Sequence, residues 1–401
     1  MFEDYLNIHD VKEIRARSLV YFGCGAIAKV ADIAKELKKE GNTRVFIVSS
    51  KSAYKASGAW EPIRAAFEAE GIEWQLYDRV RPNPNTDSID EAVKEAVAFG
   101  AQAVMGIGGG SPIDVAKSVA VLAVYPGQSA EALYEWKFNA EKALPLIAVN
   151  LTHGTGTEAD RFAVASIDSK QYKPAIAGEP LYPRWSIDDP ELMLTMPKEQ
   201  IMATAVDAVN HVVEASTSKV TNPFAITLAR EVVALAVKYL PAALENPKDL
   251  TARYHLAYAA MLGGISFDNG FLHYTHALEH PLSGMNPKVI HGVGLGILLP
   301  AVIKNIYPAC AKVLADILAP MVPGLAGAKD EADKASEGVY QWLASVGLTQ
   351  KLADEGFSES DLDRLTDLVF TTPSLTVLLS VAPTDATREA VAEIYRGSYK
   401  R

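Results

Sequence analysis

Between about residues 20 and 150, short apolar β-rich runs alternate with amphipathic stretches, and this alternation restricts the fold more than any other feature of the chain. The runs at 44–49, 73–78, 103–108 and 145–150 are brief and end in turn-forming or polar residues, which predicts buried strands. The stretches at 26–40, 60–70, 87–99 and 112–123 repeat apolar residues at helical spacing. Strands that alternate with helices imply a parallel sheet covered on both faces.

Beyond about residue 187 the strand signals fade and helical periodicity runs to the C-terminus. A chain of 401 residues exceeds the usual reach of one hydrophobic core, so two domains are expected. We expect an α/β dinucleotide-binding domain over 1–187 and an all-α domain over 188–401, joined near the turn-rich segment 183–190. The segment at 326–335, AGAKDEADKA, is expected to be a mobile connection.

A net charge of -11 with no Lys/Arg block gives phosphate backbones nothing to bind, which argues against nucleic acid. The start, MFEDYLNIHD, lacks the basic and apolar parts of a signal peptide. The most apolar stretch, 293–303, holds Pro300 and stops at Lys304, which we read as too short to span a bilayer. With only Cys24 and Cys310, a disulfide framework and thiolate metal ligation are not expected. These features together point to a cytoplasmic protein.

The run Ala103–Lys117, AVMGIGGGSPIDVAK, joins a predicted strand to a predicted helix. Gly108, Gly109 and Gly110 let the backbone turn sharply and approach a ligand. Ser111 suits the N-cap and Pro112 the first helical position, so the helix amides would face a pyrophosphate. The loop 152–158, THGTGTE, follows another predicted strand and would line the same crevice. Neither is the common G-x-G-x-x-G fingerprint, so a dinucleotide held by a different loop is expected.

Half of the eight histidines fall between His273 and His291, and the pair Asp207 and His211 stands upstream. Asp207 and His211 are four apart in a helical pattern and share one face, as do His276 and His280. Burying several imidazoles and a carboxylate is costly unless their lone pairs are used, and a divalent cation uses them directly. Spacing alone leaves His273, His276 and His280 as alternatives, with His291 approaching from a separate segment. For His9, His153 and His255 ordinary packing is the expectation.

The motifs at 21–26 (YFGCGA), 82–84 (PNP), 108–117 (GGGSPIDVAK), 152–158, 189–192 (DPEL), 207–211 (DAVNH), 276–282 (HALEHPL) and 291–300 (HGVGLGILLP) together resemble the iron-containing, or group III, alcohol dehydrogenases. The resemblance implies a dehydroquinate synthase-like fold and interconversion of a primary alcohol and its aldehyde with NAD(P)(H). It assigns Asp207, His211, His276 and His291 to the metal, Fe²⁺ with Zn²⁺ as an alternative. His280 falls beside the nicotinamide as an orienting or proton-relay residue. Asn83, Gly108, Gly109, Gly110, Ser111, Thr152, Thr155 and Lys173 match cofactor positions, Phe267 matches the substrate pocket, and a homo-oligomer of two or more subunits is implied.

Some positions depart from the family pattern. Leu151 and His153 replace smaller or hydroxylated residues, and Phe271, His273 and Tyr274 are bulkier than usual, which predicts a narrower alcohol pocket. One extra residue lies between His280 and His291. Ser50 stands where many members carry an acidic residue for the adenosine ribose; beside Lys51 it would accept a 2′-phosphate, so NADP(H) is expected to serve at least as well as NAD(H). The alternatives are an NAD-dependent metal lyase or cyclase on the same fold, and a non-catalytic metal-binding protein.

Overall fold

A computed structural model of the chain describes residues 12–400. The first eleven residues, His9 among them, and Arg401 lie outside that range. The described residues form eight strands: β1 (Leu19–Phe22), β2 (Arg44–Ser49), β3 (Glu73–Tyr77), β4 (Ala103–Gly108), β5 (Leu146–Asn150), β6 (Phe162–Val164), β7 (Ala175–Ala177) and β8 (Trp185–Asp188). Six form one parallel sheet in the order β1-β8-β5-β4-β2-β3, while β6 and β7 make a short antiparallel hairpin. Helices α1 (Val30–Lys39), α2 (Ala53–Ala56), α3 (Trp60–Glu70), α4 (Thr86–Phe99), α5 (Gly110–Leu122) and α6 (Ala130–Tyr134) accompany the strands.

Alternation along the strands builds two cores. Val45 and Ile47 of β2 pack on one face with Met105, Ile107 and Phe67, while Phe46 and Val48 pack on the other with Val104, Val115 and Val119. From β2 the chain runs outward to β3, then crosses back to β4 on the opposite side of β2. The carboxyl ends of β2 and β4 therefore flank a topological switch point, where ligands of such sheets bind.

Past Asp188 the described residues contain no strand. The helices are α7 (Lys198–Thr217), α8 (Pro223–Glu245), α9 (Leu250–Gly270), α10 (Tyr274–Met285), α11 (His291–Ile317), α12 (Ala332–Ser345), α13 (Asp361–Thr371), α14 (Leu375–Ser380) and α15 (Arg388–Tyr399). Helix α7 runs through the middle, packed on α8, α9 and α11, and every residue from Ile201 to Thr217 is buried. A helix apolar on nearly all sides belongs in such a position, and its few polar residues then need a reason to be there.

Several expectations need correcting. The segment 183–190, expected as a turn-rich junction, contains β8, which lies between β1 and β5 in the sheet; β1 is a further strand beyond the four expected. The helix after the glycine turn begins with Gly109 at its N-cap and Gly110 as first residue, so Ser111 does not cap it. The apolar stretch at 293–303 continues past Lys304 as a helix of 27 residues, long and apolar enough by composition to cross a membrane; it is instead a core helix, 72% buried in its most apolar window. The segment 326–335 is an ordered turn leading into α12, held where the Glu331 carboxylate accepts from the amides of Ala326 (2.9 Å) and Ala328 (3.0 Å).

Candidate active site

A cavity of about 1010 Å³ lies between the carboxyl ends of β2, β4 and β5 and the helices α7, α9, α10 and α11. Its sheet side is lined by Ser50, Asn83, Gly108, Gly109, Gly110, Ser111, Thr152 and Thr155; Lys51 does not line it. Its helical side is lined by Asp207, His211, Phe267, His276, His280 and His291, with Lys173 between.

The sheet side is a cradle with no room for side chains. A Cβ on Gly109 would lie 2.7 Å from Thr152 Oγ1, and one on Gly110 would lie 2.7 Å from Thr155 Cγ2. The two threonines therefore press on the bare backbone at the start of α5, where unpaired amides and the positive dipole end suit a phosphate. At its far end the same loop meets the helical half: a Cβ on Gly156, whose φ is +66°, would fall 2.4 Å from the Gly264 Cα of α9.

On the helical side the donors come from three helices. Asp207 and His211 lie one turn apart on α7, His276 is on α10, and His291 is the first residue of α11. The Nε2 atoms of His211, His276 and His291 stand 3.2, 3.5 and 3.9 Å from Asp207 Oδ1. The His211 and His276 rings stack with centroids 4.8 Å apart. Asp207 Oδ1 and His276 Nε2 are buried without a hydrogen-bond partner.

Carboxylates behind the rings fix their tautomers. Nδ1–H of His276 donates to Glu214 and Nδ1–H of His291 donates to Glu279, which in the neutral ring leaves each Nε2 as a lone pair aimed at the Asp207 oxygen. Lone pairs gathered around an anionic oxygen repel one another, and each unmet buried group costs about 1–3 kcal/mol. A divalent cation among them removes both penalties, so three nitrogens and one oxygen fit a first-row ion such as Fe²⁺ or Zn²⁺.

The electrostatics agree with a site built around positive charge. Burial alone would raise the Asp207 carboxyl, but His211, His276 and His291 hold it well below the usual carboxylate range. Burial pushes His211 down to about 4 against the pull of Asp207. Against its burial, Glu214 and Asp207 hold His276 up at about 9, so an ion binding at its Nε2 would displace a proton there. Glu214, itself buried, is brought down to about 2 chiefly by His276.

The other histidines turn elsewhere. His273 accepts from the Tyr274 amide (2.7 Å) at the start of α10 and donates through Nε2 to Thr217 Oγ1 (2.9 Å), so it faces away from the cluster. Nδ1–H of His280 donates to the Lys173 carbonyl (2.8 Å), leaving Nε2 as an acceptor on the cavity. Lys173 Nζ stands 3.4 Å from Glu279 Oε2, within the carboxylate network behind His291. His255 stacks on Tyr239, and His153 is buried against Arg253 and Thr204.

Of Phe271, His273 and Tyr274 at the start of α10, only Phe271 reaches the cavity; Tyr274 is buried with its hydroxyl on the Asp385 carbonyl. Phe271 instead joins an aromatic wall that the sequence did not reveal. Phe267 lies 4.6 Å from the His211 ring, Phe162 lies 5.3 Å from Phe267, and Phe271 meets Phe162 edge-on at 5.9 Å. Glu214 and Glu279 were also missed. Their signal was legible: Asp207, His211 and Glu214 follow i, i+4, i+7 spacing, and Glu279 stands three residues after His276.

Comparison with known proteins bears on this arrangement. Residues 18–190 match the family model described as iron-containing alcohol dehydrogenase, and residues 201–399 match its C-terminal counterpart, the Fe-containing alcohol dehydrogenase family. The long-chain primary alcohol dehydrogenase AdhA of Thermoanaerobacter ethanolicus is 54% identical over 399 residues, covering 100% of both chains. The 1,3-propanediol dehydrogenase of Klebsiella pneumoniae is 31% identical, over 87% of this chain and 89% of its own. Among solved structures, the NADH-dependent butanol dehydrogenase A of Thermotoga maritima superposes with a TM-score of 0.88 at 29% identity, covering 98% of this chain and 99% of its own. The parallel sheet with its glycine cradle, the helical half with its histidines, and both family matches lead to one conclusion: the chain belongs to the iron-containing alcohol dehydrogenase family.

Proposed function

We propose that this alcohol dehydrogenase acts on primary alcohols with extended aliphatic chains and on the matching aldehydes. The observation that carries the reading is the convergence of three imidazole Nε2 atoms on one Asp207 oxygen, inside a cavity that also holds the glycine cradle. The 54% identical relative named for long-chain primary alcohols supports the substrate class. The lyase and the non-catalytic readings are not favoured, since both halves match an oxidoreductase family.

In this reading residues 1–187 carry the dinucleotide and residues 188–401 carry the metal and the substrate. Asp207, His211, His276 and His291 would hold the ion, with Fe²⁺ the family's metal and Zn²⁺ suited to the same donors. When bound, the ion supplies Lewis acidity toward an alcohol oxygen, and the dinucleotide supplies or takes up hydride. Gly108, Gly109, Gly110 and Ser111 would face the pyrophosphate, with Thr152, Thr155, Asn83 and Lys173 around the rest of the cofactor.

The remaining work falls to named side chains. Phe267 packs beside His211 and, with Phe162 and Phe271, excludes water from the reacting carbon. His280 offers an unprotonated Nε2, because its Nδ1–H is committed to the Lys173 carbonyl; it takes the hydroxyl proton in oxidation and returns it in reduction. Glu214 and Glu279 hold two of the metal-facing rings in the tautomer that leaves Nε2 free.

Ser50 lines the adenosine end with no carboxylate in its place, so we extend the proposal to NADP(H) used at least as well as NAD(H). The deciding experiment loads wild type, His276→Ala and His280→Ala with iron and assays alcohols with both cofactors. His276→Ala is expected to lose metal and turnover, whereas His280→Ala keeps metal and slows. Full metal content in His276→Ala would overturn the ligand assignment, and a tenfold preference for NADH would overturn the cofactor extension.

A further inference from the structure

The cavity that holds the histidines does not end at the aromatic wall. It continues along the β6–β7 hairpin, past Val164, Ala175, Ile176 and Ala177, and reaches Trp136. Trp136, Ile176 and Ala177 also line a second cavity of about 440 Å³ on the other side. Its remaining walls include Val121, Leu133, Phe138, Pro180 and Leu181, and no ionisable side chain among the described residues lines it. The two cavities therefore share one partition.

Trp136 is unusual on two further counts. Its φ is +56°, a left-handed conformation that a bulky side chain rarely adopts and that points to a constrained position. Its ring is half exposed, and its indole N–H donates to the Ala175 carbonyl at 3.0 Å, while the Ala175 amide donates to Ser374 Oγ at 2.9 Å. The ring is thus tied to the hairpin that walls both cavities, and α14 is tied to the hairpin's other side. Val377 of α14, also well exposed, lines the same end of the main cavity.

We propose that the cavity behind Trp136 is a distal subsite that receives the aliphatic tail of long-chain alcohols and aldehydes, with Trp136 as the partition the tail passes. The proposal rests on the alcohol–aldehyde reading above and adds to it a place for the end of the chain. Its occupant follows from chemistry: walls with a single polar side chain, Asn139, offer a polar ligand little recognition, whereas each methylene buried there gains about fourfold in binding, the ~0.8 kcal/mol of removing one CH₂ from water. The main cavity, which shares Trp136, Ile176 and Ala177 with this one, runs on to the histidines and supplies the other half of the ligand, a hydroxyl or carbonyl at one end of an unbranched chain.

The test measures kcat/KM of the metal-loaded enzyme for linear primary alcohols from 1-butanol to 1-tetradecanol, in wild type and in Ala177→Trp, which places a ring in the shared wall. Wild type is expected to gain roughly three- to fourfold per methylene over part of the series. The substitution is expected to lower the 1-dodecanol to 1-butanol ratio at least tenfold. Separately, 1-dodecanol added to the protein is expected to shift tryptophan emission to the blue, a change absent from Trp136→Phe. An unchanged ratio in Ala177→Trp, or an emission change that persists in Trp136→Phe, overturns the subsite. Turnover of 1-butanol with an unaltered ratio sinks the subsite alone; no turnover of any alcohol sinks the underlying reading, and the emission then reports on the subsite by itself.

Discussion

Glu214→Gln isolates the support behind His276, one of the rings proposed to hold the metal. Glu214 is fully buried and makes three contacts: it accepts from His276 Nδ1, from the His273 amide (2.9 Å) and from the His276 amide (3.2 Å). A glutamine oxygen can keep both amide contacts, but its NH₂ group then faces the His276 Nδ1–H, and two donors cannot bond. The ring escapes by moving its proton to Nε2, which blocks the lone pair aimed at Asp207. Loss of such an orienting carboxylate typically weakens metal binding 10- to 100-fold, about 1.4–2.7 kcal/mol. Competition against a fluorescent chelator, with Fe²⁺ and with Zn²⁺, measures that loss, and a thermal melt of the metal-free variant confirms that it folds. Affinity within twofold of wild type would refute the claim that the tautomer, rather than packing, sets the strength of the site.

Other perturbations follow from the same geometry. Gly109→Ala places a methyl 2.7 Å from Thr152 Oγ1 and is expected to raise the dinucleotide KM about tenfold, in line with an overpacking cost of ~1–3 kcal/mol, while metal content measured by elemental analysis stays unchanged. Ser50→Asp is expected to lower kcat/KM for NADPH at least tenfold relative to NADH, read from paired steady-state assays. Burial raises the Asp188 carboxyl to about 7 and its neighbour Glu158 well above the usual range. Because these folded-state values are raised, their contribution to stability is complete below about pH 4 and is lost as pH climbs through 7. Melting temperature should therefore fall from pH 5 to 8, and less steeply in Glu158→Gln; equal slopes would count against the pair.

Much of the fold was legible because β2, β4 and β5 are buried along nearly their whole length and read as apolar runs, while the half-buried edge strand β3 showed as a short β-rich run. β8 escaped notice because Trp185–Asp188 ends in an acid that looks like a turn. In the structure that acid is buried beside Glu158 and accepts from the Asn150 side-chain Nδ2 at 2.8 Å, an arrangement no local pattern discloses. β6 and β7 are three residues each, too short for periodicity to register. At the site, spacing placed Asp207 and His211 on one face but left His276 and His280 equivalent. What separates them is tertiary: Glu214 of α7 stands behind one ring and the Lys173 carbonyl behind the other. The aromatic wall draws Phe162 from the hairpin and Phe267 and Phe271 from the end of α9, so its members are distant in sequence and visible only once folded.

The meeting of Gly156 with Gly264 has a consequence for reaction geometry. Pyridine ring and hydroxyl carbon would be anchored to different halves of the protein, and here those halves touch main chain to main chain, with no compressible side chain as a spacer. A methyl inserted at this joint would have nowhere to fold away, so the strain would pass into the gap across which hydride must travel. In that arrangement the pair would set a hard stop on how closely the two reactants approach.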